Sequence, residues 1–366
     1  MRRVLACGVV LVMTGCNAIL GLDASTLATD AGTSTGMSSG DSSAEVPEAG
    51  AMDSQVGPVG AMDAGAGDSS AASTGDGGGG DSGADLLTLD DASFASSFAL
   101  GGSTFYIDGF DSVLSESVNG GPMGTFASQQ DDPGAIAVKG TTVYWANSST
   151  LASMPQDGGS VTTLATGVNP WEIAVDQTSI YWTDNNGFVL KAPAGAVGPV
   201  STLASGDDTS NAYGIAIDDK SVYWTNNIQN TVVGAVLSVP LDGGAHVTLA
   251  SGLSSPTDIA VDATRIYWTN NGNGGGGTVM SALLDGGDPT TIASGPGPSA
   301  IAVDGTAVYW TNDVTILEGG NVMKAPLDGG TPTTLASGQA NPVAIAVDGT
   351  SVYWSTEDGL MKLTPK

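Results

Sequence analysis

From about residue 98 onward the chain alternates short apolar runs with polar turns, and the same run returns at a nearly constant interval. A clear copy is Ala344-Ile345-Ala346-Val347, then Asp348-Gly349, then Ser351-Val352-Tyr353-Trp354. Two runs of β-forming residues around a turn pair predict two strands and a tight hairpin. The copy before it completes the unit, with Asn321 to Pro326 as a third strand, Leu327 to Gly330 as a turn and Thr333 to Ala336 as a fourth strand. The anchoring tyrosines are Tyr106, Tyr144, Tyr181, Tyr223, Tyr267, Tyr309 and Tyr353, a spacing of 37 to 44 residues. That period suits a four-stranded antiparallel blade repeated seven times.

Neighbouring strand residues point to opposite faces, so the adjacent rings of Tyr309-Trp310 require both faces of the sheet to be covered. Radial stacking of blades does this, and the expected fold is an all-β, seven-bladed β-propeller. The last copy ends at Lys366 without a fourth strand, and Asp85-Leu86-Leu87-Thr88-Leu89 stands at the right distance ahead of the first copy to supply it. The domain is therefore expected over 85–366. Its first blade is degenerate, with Phe98-Ala99-Leu100-Gly101 and Tyr106-Ile107 in place of the consensus.

Tyr181-Trp182-Thr183-Asp184, preceded by Ile173-Ala174-Val175-Asp176, resembles the YWTD repeat of low-density-lipoprotein-receptor-type propellers. The likeness covers about three-quarters of the chain and includes a proline before the first strand at Pro133, Pro170, Pro256, Pro298 and Pro342. It implies the fold and not the partner. Those propellers usually have six blades and carry cysteine-rich flanking modules, and Asn226, Asn270 and Asn312 here replace the motif aspartate.

Ahead of the propeller, Met1-Arg2-Arg3 and the apolar Val4 to Met13 have the make-up of a secretion signal and are too short for a permanent membrane span. Thr14-Gly15-Cys16 resembles the lipobox of bacterial lipoproteins, which implies a signal over 1–15 and a lipid on Cys16. Asn17, rather than aspartate, resembles the signal for release to the outer membrane. From Asp23 onward the chain is Ser, Gly, Ala, Thr and Asp with almost no large apolar side chains, and residues 16–84 are expected to be a disordered acidic linker. Secretion, lipid anchorage and an outer-membrane or cell-surface location are the expectations.

The formal charge of −29, from 38 acidic and 9 basic residues, argues against nucleic acid as a partner and leaves membrane attachment to the lipid. Two features fall on the face opposite the tight turns. The segments from Trp224, Trp268 and Trp310 to the next Asp-Gly-Gly are long, so blades 4 to 6 raise extended hairpins. Two positions before the isoleucine of the first strand, blades 3 and 4 have Trp171 and Tyr213 where others have small or aliphatic residues. They are the candidate platform for a protein, peptide or glycan. One position nearer the isoleucine, Glu172 and Asp258 replace alanine or glycine. Two carboxylates near the channel resemble the site of calcium-dependent lactonase-type propellers, which implies a calcium-dependent hydrolase as the alternative to a binding module. The single histidine, His246, is expected on an exposed fourth strand, with no second histidine or cysteine beside it for metal or nucleophilic chemistry.

Overall fold

The computed structural model describes residues 85–88, 95–205, 211–227, 234–272, 276–313 and 319–366, with side chains from Ala95 onward. The expected signal over 1–15, Cys16 and the linker over 16–84 lie outside the described residues. So do the central parts of the hairpins of blades 4, 5 and 6.

Seven antiparallel sheets of four strands follow one another along the chain. Blade 3 is representative, with strands Pro170–Val175, Ser179–Asp184, Phe188–Pro193 and Ser201–Ala204 in that order. Blade 7 is built from both ends of the domain. Its strands Ile345–Val347, Val352–Thr356 and Gly359–Thr364 are completed by Asp85–Thr88, which pairs antiparallel in the register Asp85 with Thr364 and Thr88 with Met361. The seventh blade is thus closed by the strand the sequence offered.

The core is divided into seven apolar clusters, one at each junction between blades. At six of them the tyrosine of one blade meets the tryptophan of the next, as Tyr181 meets Trp224 and Tyr309 meets Trp354. At the seventh, Tyr353 meets Ile107 and stacks edge-on against Phe105 at 4.9 Å between centroids. The Tyr-Trp dipeptide therefore serves two interfaces at once, one ring forward and one back. Degenerate blade 1 fills the tryptophan position with Ile107 and adds Phe98 and Phe105 to the same cluster.

The Asp-Gly pair after the first strand works differently from expectation. Gly305 and Gly349 are absent from the glycines with positive φ, and the turn is held by the aspartate side chain instead. Asp176 Oδ1 accepts the N–H groups of Thr178 and Ser179 at 2.6 and 2.7 Å, and Oδ2 accepts the Tyr181 hydroxyl at 2.8 Å. The same clamp recurs from Asp218 to Tyr223, Asp262 to Tyr267, Asp304 to Tyr309 and Asp348 to Tyr353. This is why the position after the aspartate tolerates Gln177, Asp219 and Ala263. The Asp-Gly-Gly turns between third and fourth strands do need glycine, since Gly158 and Gly159 adopt φ of 90° and 136°.

Candidate functional site

In blades 3 to 6 the first strand enters the ring through a β-bulge, where two residues oppose one. In blade 3, Pro170 pairs with Asp184 and Ile173 with Trp182, so Trp171 and Glu172 together face Thr183. The same shift occurs in blades 4, 5 and 6. The motif threonine makes the bulge and joins the blades. Thr183 Oγ1 accepts the Glu172 N–H at 3.3 Å and donates to the Tyr213 carbonyl of blade 4 at 2.7 Å. Thr225 repeats this with the Gly214 N–H and the Thr257 carbonyl.

The bulge places the four candidate side chains. Trp171 and Tyr213 meet across the junction of blades 3 and 4, with centroids 5.5 Å apart and planes at 76°. They are unequal partners: Tyr213 is only 5% exposed, whereas Trp171 is half-buried. Trp171 is therefore the only one of the two with a presentable surface, and Tyr213 supports it from beneath.

Glu172 and Asp258 are half-buried and reach sideways to the next blade. Glu172 Oε2 accepts the N–H of Ile215 at 3.0 Å, and Asp258 Oδ2 accepts that of Ile301 at 2.8 Å while Oδ1 accepts its neighbour Ile259. Ser97 of blade 1 does the same for Ile136 through its hydroxyl. Burial pushes the Glu172 carboxyl well above its usual range, and the negative charge of Asp258 pushes it further. Burial lifts Asp258 to about 6 against the pull of its two backbone donors. Both carboxylates are thus occupied as staples between blades. Among the described residues no group of three or more His, Cys, Asp or Glu side chains is placed to hold a metal ion.

His246 lies just ahead of the fourth strand of blade 4, Val247–Leu253, and not within it. It is half-buried, with its ring edge-on to Trp224 at 6.3 Å, because the large indole offers it an apolar wall.

A cavity of about 630 Å³ opens beside Trp171, on the face that carries the hairpins between second and third strands. Blade 1 contributes Ser96, Asp108 and the hairpin tip Phe110. Blade 2 contributes the entry loop from Asp132 to Ala135 together with Asn147 and Ser148, and blade 3 contributes Asn169, Pro170, Trp171 and Asn185. The hairpins around it are short: three residues separate the strands at 109–111, 147–149 and 185–187, against six or seven in blades 4 to 6. Sequence reasoning went to the blades with long hairpins and passed over the hollow beside short ones. Asp108 was also missed. It stands where later blades have the motif threonine, and its carboxylate takes over that role by accepting the N–H groups of Ser96 and Ser97 at 3.2 and 2.9 Å. Burial nevertheless pushes its carboxyl up to about 7, with the Ser96 and Ser97 hydrogen bonds pulling the other way.

The cavity lining holds no Lys, Arg or His. Three of the few lysines are committed elsewhere: Lys191, Lys324 and Lys362 lie over the rings of Tyr181, Tyr309 and Tyr353 at 5.3 to 5.7 Å.

The sequence matches no protein-family model and no curated protein. Among solved structures, the fold is similar to virginiamycin B lyase from Staphylococcus aureus, with a TM-score of 0.60 and 13% identity over 77% of this chain and 98% of that one. It is equally similar to the WD40 β-propeller domain of Doa1, with a TM-score of 0.60 and 10% identity over 77% and 96% of the two chains. A nidogen/laminin complex superposes with a TM-score of 0.49 and 18% identity over 70% and 93%. At such identities the fold is what is shared.

Proposed function

We propose that this chain is an extracytoplasmic binding module, held to a bacterial outer membrane or cell surface by a lipid on Cys16, with the hairpin face of its propeller as the binding face for a protein, peptide or glycan. The observation that carries this reading is the cavity of about 630 Å³ beside Trp171, a size within the range of ligand sites. Around it lie aromatic and amide side chains suited to contact, Trp171, Phe110, Asn169 and Asn185 among them. The alternative, a calcium-dependent hydrolase in the channel, finds less support, because Glu172 and Asp258 already accept backbone donors from neighbouring blades.

The test is capture by the full chain, displayed on beads, from an extract of envelope proteins and glycans, repeated with Trp171→Ala. Loss of the captured component with an unchanged unfolding midpoint is the expected result. Capture that is indifferent to Trp171 would remove this face as the binding surface.

A further inference from the structure

We propose that the cavity over blades 1 to 3 is a carbohydrate subsite, taking a short stretch of an uncharged oligosaccharide. The proposal rests on the reading of the hairpin face as the binding face and narrows it to one ligand class.

Charge excludes one group of ligands. Asp132 lines the cavity with no basic side chain beside it, so phosphate, sulfate or carboxylate groups would find no counter-charge.

Hydrogen-bonding capacity separates the remaining classes. Asn185 donates to the Asn169 side-chain carbonyl at 3.3 Å, a single bond that leaves the Asn185 carbonyl and both Asn169 N–H groups for a ligand. A lining that offers donors and acceptors together suits hydroxyl groups, which are both. An ammonium ion has only donors, and would leave the Asn169 N–H groups unused. The aromatic surfaces fit the same ligand. Trp171 is held in a fixed orientation by Tyr213, and Phe110 stands 91% exposed at the hairpin tip of blade 1, so each can cover a face of sugar C–H groups.

The experiment is calorimetric titration of the full chain with neutral gluco-, xylo-, manno- and chito-oligosaccharides, beside a uronate oligomer and a polyamine. At least one neutral oligosaccharide should bind, with an affinity changing less than about twofold between low and high salt. The double variant Asn169→Ala, Asn185→Ala should weaken it at least about tenfold, equivalent to about 1.4 kcal/mol, and keep the wild-type unfolding midpoint. Trp171→Ala should weaken it as well. Polyamine or uronate binding that depends on the two asparagines, with no neutral sugar bound, would overturn the ligand class while leaving the hairpin face as a binding face. Neutral-sugar binding untouched by all these variants would overturn the cavity as the seat. If no ligand in the set binds, the carbohydrate assignment falls, and the capture experiment alone then decides the broader reading.

Discussion

Oε2 of Glu172 accepts the backbone N–H of Ile215 across the junction between blades 3 and 4. Asp258 makes the equivalent bond to Ile301, and Ser97 to Ile136, so the stapling side chain appears on blades 1, 3 and 5. Two of these three staples are carboxylates that burial makes reluctant to ionise. An acid with a raised pKa in the folded state binds its proton more tightly there than in the unfolded chain. Its contribution to stability is therefore present at low pH and lost as pH rises, from the ordinary value of 3.8 through about 6 for Asp258. Asp258→Asn keeps an acceptor for Ile301 and removes the charge. Its unfolding midpoint in urea should exceed that of wild type at about pH 8 and fall to parity or below at about pH 4. A gap that does not vary with pH would contradict the buried charge.

The clamp at Asp176 titrates in the opposite sense. Hydrogen bonds from Thr178, Ser179 and Tyr181 outweigh burial and hold the Asp176 carboxyl below its usual value, which makes the clamp stabilising above the ordinary carboxylate pKa and lost as pH falls through the lowered one. Tyr181→Phe removes a hydrogen bond to a charged acceptor and should cost roughly 1–3 kcal/mol near neutral pH. The deficit should shrink in acid, and a deficit of equal size in strong acid would assign it to packing instead.

Tyr213 and Trp171 should separate in mutagenesis. Trp171→Ala should leave the unfolding midpoint nearly unchanged, within about 1 kcal/mol for a half-buried side chain, and act on binding. Tyr213→Ala removes a buried ring and should cost about 3–5 kcal/mol. Equal losses of stability would show that Trp171 is core and not surface.

Cys16→Ser should abolish incorporation of labelled fatty acid and move the chain from the membrane fraction to the soluble envelope fraction. Labelling that persists in the variant would refute the lipid anchor.

The blade count, the composition of each blade and the closing strand were all legible in the sequence. They rest on a repeated spacing and on the adjacency of Tyr and Trp, and bulky rings at fixed intervals leave few ways to be buried. The site was less legible. Counting two positions back from Ile173 and Ile215 finds Trp171 and Tyr213, but simple strand alternation takes no account of the bulge at Thr183, and the bulge sends one ring under the other. Glu172 and Asp258 were found as an isolated pair of acids; their common role appears only beside Ser97, a residue of different chemistry. The cavity is marked in the sequence by the shortness of three hairpins, a negative feature that stands out only once the blades are placed around a ring.

The closing strand Asp85–Thr88 belongs to the first part of the propeller to be synthesised, yet its partner Gly359–Thr364 is among the last. During synthesis the earlier blades can stack in turn by contacts between neighbours in sequence, while the seal must wait for the strand Gly359–Thr364. Loop closure over such a span is slow relative to local pairing. Until it happens, the growing domain presents an unsealed blade edge at each end, open to pairing with another chain. For this protein the hazardous interval of folding is therefore the wait before Asp85–Thr88 docks, and its length is governed by the rate at which the final hairpin is delivered.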